Sequence, residues 1–163
     1  MFDRERRLYA DQYGYARQLT ADIPDEEFAE EPVPGMNHPA WILGHLTVTA
    51  DFSLQLLGEK PVAPEGWAAM FAPGTVPDPQ RATYPTKAEY LNAYEAGHAA
   101  LAAAVATLDD ARAAKPNPVP SLKARFPTVG DLMAHLLTTH EATHLGQLSA
   151  WRRTMGKQSV ALG

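Results

Sequence analysis

The chain has 163 residues, a formal net charge of −5 and no cysteine. That length suits one domain, residues 1–163, with a substantial core, and the missing thiols exclude disulfides, chain-ligated iron–sulfur clusters and thiolate-bound zinc. Lys and Arg form no cluster larger than a short doublet, so the footprint of a nucleic-acid binder is absent and an anionic lipid surface is unsupported.

The N-terminus, Met1-Phe2-Asp3-Arg4-Glu5-Arg6-Arg7, leads into mixed sequence and not into the apolar run of a signal peptide. No uninterrupted apolar stretch reaches the roughly 18 residues that a membrane span needs. A soluble cytoplasmic protein without nucleic-acid or membrane partners is the expectation.

A first helix is predicted from about Arg4 to Leu19, with Pro24 beyond its exit. The second opens at Asn37 as N-cap, tolerates Pro39 in its first turn and runs to about Leu57, where Gly58 stops it. The third begins at the capping box Thr86-Lys87-Ala88-Glu89 and carries Leu91, Tyr94, Leu101, Val105 and Leu108 at helical spacing. The fourth opens with Thr128-Val129-Gly130-Asp131 and ends around Met155-Gly156. No strand pattern and no internal repeat is evident.

Two connections are long and proline-rich: Glu59 to Pro85, with Trp67, Phe71 and Tyr84, and Asp109 to Pro127. Connections of that length are often functional, and one of them is expected to carry its aromatics over a cavity. The pattern predicts an all-α four-helix bundle with long connections between helices two and three and between three and four. Helix order and handedness do not follow from periodicity.

The chemistry concentrates in His140-Glu141-Ala142-Thr143-His144-Leu145-Gly146-Gln147 and in Asn37-His38-Pro39-Ala40-Trp41-Ile42-Leu43-Gly44-His45. A helix stacks His140 and His144 on one face, about 6 Å apart along its axis. Projection at about 100° per residue places Met133, Leu137, His140, His144, Gln147 and Trp151 together, with His135 almost opposite and solvated. On the second helix His45 lies in an inward stripe with Trp41, Ile42, Thr49, Phe52 and Leu56. Three uncompensated imidazoles in a core are costly, and a shared transition metal turns that cost into binding energy. The opposing view is that a lone histidine on an apolar face is usually a hydrogen-bonded core residue, and that an i, i+4 pair arises by chance among six histidines.

His140 to His144 also spells HExxH, in which the glutamate serves a bound metal as general base. Glu141 projects about 80° from the midpoint of the histidines, at the site edge, although a solvated flank charge is the preferred reading. Gln147 is a candidate for orienting bound water or substrate, against an equal alternative as a structural amide. Trp41 and Trp151 are expected to pack the core and His98 to be a hydrogen-bonded core or rim residue. His38, in a first turn, is expected to face solvent. Arg152 and Arg153 are candidates for an acidic cosubstrate, with a solvated C-terminal turn as the alternative.

On these residues the sequence resembles the DinB-like (DinB/YfiT) superfamily of small metal-binding four-helix bundles. The likeness rests on Asn37, Trp41, Gly44 and His45, on Pro73-Gly74-Thr75-Val76-Pro77, on Tyr84-Pro85, and on His140, His144, Gly146 and Gln147 followed by Arg152-Arg153. The resemblance implies an up-down-down-up bundle, frequent homodimers, and metal ligands at His45, His140 and His144 with water completing the shell. Branches of that family transfer bacillithiol or mycothiol sulfur or isomerise maleylpyruvate with mycothiol, and the family name reflects DNA-damage induction and not DNA chemistry.

Three neutral nitrogen ligands leave open coordination positions, as in catalytic zinc sites. Thiol S-transfer to a small electrophile is therefore the expected reaction, and without cysteine the thiol must be an exogenous cosubstrate. Metal-dependent hydrolysis, with Glu141 as base, is the runner-up. A metal-stabilised stress-response scaffold or ligand-sensing module is the non-enzymatic alternative. Zinc suits the donors best, while nickel and iron also accept them.

Overall fold

The computed structural model describes residues 2–161 and is all-helical, with no strand among them. Helix α1 spans Asp3–Thr20, with Asp3 and Glu5 in its first turn and Arg17 in its last, each opposite to the helix-dipole end it faces. Its inward stripe is Tyr9, Ala16, Leu19 and Thr20. Helix α2, Pro39–Leu56, is buried on nearly every side. Its N-cap is His38 and not Asn37: His38 Nδ1 accepts from Trp41 N at 3.2 Å, ahead of Pro39 at the first helical position.

Two glycines let α2 sit at the centre. A Cβ at Gly44 would meet the Phe71 ring at 2.5 Å, and one at Gly97 would come within 3.4 Å of the Ala50 side chain. The first admits the ring of the short helix α3, Trp67–Phe71, and the second brings α2 close to α4, Lys87–Ala106. Helix α4 opens on the expected box, with Thr86 and Glu89 capping one another. Trp67 and Phe71 are buried in the core against Tyr90, and Trp67 also lines a surface pocket with Pro64, Pro85 and Asn92. Of these two aromatics of the long connection, Trp67 alone lies beside a cavity. Asp51, buried in α2, pins the start of that connection by accepting from Val62 N at 2.7 Å and Ala63 N at 3.0 Å.

After helix α5, Asp110–Ala113, the chain crosses to α6, Val129–His135, which opens on a Thr128/Asp131 capping box. Then comes a departure from the sequence reading. Leu136–His140 forms a π turn, and α7, Glu141–Thr154, continues from it with right-handed helical dihedrals at the junction. The expected single helix is one rod, but it carries an extra residue at mid-length.

The apolar pattern explains that residue. Before the π turn Leu132, Met133, Leu136 and Leu137 are buried; after it Glu141, Leu145, Leu148 and Arg152 are. On an unbroken α-helix these two stripes would point about 100° apart, and one inserted residue brings them back into line. The core forms two clusters along the helices. One groups Leu19, Phe28, Ile42, Trp67, Phe71 and Trp151; the other groups Phe2, Leu54, Leu101, Val105, Met133 and Leu137. No helix among the described residues is long and apolar enough to cross a membrane.

Candidate metal centre

His45 comes from the middle of α2, His140 ends the π turn and His144 lies in the first turn of α7. One ring nitrogen of each lies within 4.8 Å of the others, an arrangement that could hold a metal ion. His45 is buried, whereas His140 and His144 are half-buried. The rods thus bring together the three histidines singled out by spacing.

Hydrogen bonds settle which nitrogens face inward. His45 Nδ1 donates to the Phe71 carbonyl at 2.8 Å, and His144 Nδ1 donates to Gln147 Oε1 at 2.9 Å. Each bond fixes a tautomer and leaves an Nε2 lone pair, the usual way an outer partner orients a metal-binding histidine. His45 Nε2 faces His140 Nε2 at 3.2 Å, a separation that needs a proton or a cation between the two. Burial and the neighbouring imidazoles push His140 down to about 3, and burial followed by His45 pushes His144 down to about 4. His45 is lowered by burial, against the opposing pull of the Phe71 carbonyl. All three rings are therefore neutral nitrogen donors, which is the chemistry a divalent transition metal requires.

The surroundings come from the same short stretch of α2. Trp41 stacks on His45 with centroids 4.7 Å apart and rings 5° from parallel, and its Nε1 donates to Thr75 Oγ1 at 2.9 Å. His38 is fully buried, not solvated, because Nδ1 caps the helix while Nε2 donates to the Asp78 carbonyl at 3.1 Å. His38, Trp41 and His45 thus each fasten one point of the 71–78 segment. Asn37, displaced from the cap, donates to Gln147 Oε1 at 3.1 Å.

Among the other candidates, Gln147 sits at the centre, but its amide oxygen is engaged by His144 and Asn37. Glu141 does not lie at the edge of the site, nor on a solvated flank. It is buried on the core side of α7 and accepts from the Tyr94 hydroxyl, with burial raising its carboxyl to about 7. Consecutive residues point about 100° apart on a helix, and the side of α7 that Glu141 occupies is the one packed on Tyr94. Arg152 is buried in a clamp with Asp22, the Leu19 carbonyl at 2.7 Å and the Gln158 carbonyl at 3.0 Å. Arg153 is exposed on a groove between α1 and α7. Trp41, Trp151 and His98 are buried as expected; Trp151 Nε1 donates to the Glu30 carbonyl, and His98 stacks on Tyr9 and donates to its carbonyl.

Sequence reasoning missed His135 as a neighbour of the site. It is half-buried, with its ring 6.0 Å from that of His140 and stacked 4.4 Å from Phe126. Burial, followed by the charge of Arg125, lowers its pKa. The change of phase between the two apolar stripes was the available signal. No curated protein matches the chain. The family model described as DinB superfamily matches residues 8–148, a span that holds His45, His140, His144 and Gln147 and ends before Arg152.

Proposed function

The chain belongs to the DinB superfamily, and from that premise we propose that it is a metal-dependent enzyme that transfers a small exogenous thiol to an electrophilic substrate at His45, His140 and His144. The observation that carries the metal part is the 3.2 Å approach of two neutral imidazoles, with the ring of a third 4.6–4.7 Å from theirs. A divalent ion, zinc before nickel or iron, would supply Lewis acidity that draws a bound thiol or water toward its deprotonated form.

The chain's own contribution is to hold the donors. The Phe71 carbonyl and the Gln147 amide lock two tautomers, Asn37 steadies Gln147, and Trp41 covers one face of His45. Half-exposure of His140 and His144 leaves them accessible to a small molecule, which favours turnover over a sealed scaffold. With no cysteine in the sequence, the nucleophilic sulfur must arrive with the cosubstrate. Hydrolysis through activated water uses the same ligands, but the zincin form of it loses its base, since the Glu141 carboxylate is committed to Tyr94. The remaining elements of the proposal are a single four-helix-bundle domain of up-down-down-up order, a homodimer and a cytoplasmic setting.

Elemental analysis of purified protein, followed by paired assays of an electrophile with and without bacillithiol, mycothiol or glutathione, tests the reading. Stoichiometric metal and saturable thiol consumption are expected. Activity without thiol would replace transfer by hydrolysis, and metal without either activity would leave a binding module.

A further inference from the structure

Each histidine of the cluster has a second ring nitrogen, and the three are treated unequally. His45 Nδ1 rests on the Phe71 carbonyl and His144 Nδ1 on Gln147, whereas His140 Nδ1 is buried without a partner. Metal-binding histidines almost always give that nitrogen to an outer acceptor, which fixes the ring and raises its basicity. One acceptor of His140 is therefore unassigned.

The π turn points to it. A π turn has a hydrogen-bond period of five, so it stacks residue i over i+5, and Leu136–His140 brings His135 over His140. The two rings stand edge to face, 6.0 Å between centroids and 77° between planes. Among the described residues neither nitrogen of His135 has a hydrogen-bond partner, although the side chain is half-buried and its other side lies on Phe126 at 4.4 Å. A neutral imidazole has one acceptor lone pair, the complement of an Nδ1–H donor. His135 stays outside the ligand set, whose donor atoms come from His45, His140 and His144.

We propose that His135 is the outer partner of His140, accepting from its Nδ1–H directly or through one water, and that the extra residue of the π turn is what delivers it. This rests on the metal reading and deepens it by giving the third ligand a positioning residue.

Co(II) affinity, measured by competition with a chelating dye, compares wild type with His135→Phe, which keeps the stack on Phe126, and His135→Gln, which keeps an acceptor. A fall of about 10- to 100-fold is expected for His135→Phe, with most of the affinity kept by His135→Gln and the metal-free melting temperature moving equally little in both. Unchanged affinity in His135→Phe, or equal losses in both variants, overturns the assignment while the metal centre stands. No Co(II) uptake by wild type overturns both. If His135→Phe does not fold, nitrogen NMR of the wild type loaded with diamagnetic Zn(II) decides, because a His140 Nδ1 proton without the downfield shift of a hydrogen-bonded imidazole overturns the proposal.

Discussion

His140 and Glu141 are consecutive in the chain, yet they open onto two polar regions of opposite character. On the His140 side three imidazoles converge, two nitrogens face each other at 3.2 Å and one buried nitrogen has no partner. On the Glu141 side the polar groups are matched among themselves: the Tyr94 hydroxyl donates to the carboxylate, and His98 donates to the Tyr9 carbonyl at 2.9 Å while stacking on that ring. Buried polar groups that satisfy one another belong to the architecture, and those left short of partners mark the place for a ligand. By that criterion the histidine cluster is the candidate ligand site and the Glu141 region is part of its frame.

The sharpest break between the two comes from removing one member of each. His144→Ala should abolish stoichiometric metal in the purified protein, read by elemental analysis, and unchanged metal content would remove His144 from the ligand set. Glu141→Ala should leave metal stoichiometry intact but cost about 1–3 kcal/mol in denaturant unfolding, because it strands the buried Tyr94 hydroxyl. A loss of metal without a loss of stability would reverse the roles assigned here.

Proton linkage separates the regions more finely, in metal-free protein. The histidines are depressed from 6.5, to about 3 for His140 and about 4 for His144. Between those values and 6.5 the unfolded chain binds the more protons, so their contribution is present above pH 6.5 and fades as pH falls through the window. Glu141 is raised from 4.5 to about 7, so the folded state keeps a proton that the unfolded chain has released. Its contribution is full below pH 4.5 and is lost as pH rises through 7. Between pH 4.5 and 6.5 the two effects oppose, with two histidines outweighing one carboxyl. Melting temperature should therefore fall toward acid and decline slightly from pH 6.5 to 7, and Glu141→Gln should remove that neutral decline and steepen the acid limb. An unaltered neutral limb in that variant would contradict the buried-acid assignment.

Much of the fold was legible from local signals. The capping boxes at Thr86 and Thr128 and the inward spacing of Tyr94, Leu101 and Val105 on α4 hold, because they depend on a few neighbouring residues. Leu91, by contrast, is half-buried, and Leu108 lies beyond the helix end. The i, i+4 pair His140/His144 runs from the last residue of the π turn into regular α7, so its shared face was correctly read. His135 was misplaced because a constant turn angle was carried across residues 136–140, where the helix does not keep it. Glu141 was misjudged because its projection does not reveal the Tyr94 hydroxyl on the facing helix. His38 was misjudged for another reason: first-turn position suggests exposure, but its ring is both the cap of α2 and an anchor for the Asp78 carbonyl. That carbonyl arrives from a proline-rich connection whose path no periodicity encodes.

The Phe71 ring rests where a side chain at position 44 would stand, and the carbonyl of the same residue steers His45. The smallest side chain is thereby tied to the orientation of a candidate ligand one position along. Any bulk at Gly44 lifts Phe71 and withdraws the acceptor that keeps the His45 lone pair turned inward, so a change that touches no donor atom would still read out as a faulty ligand.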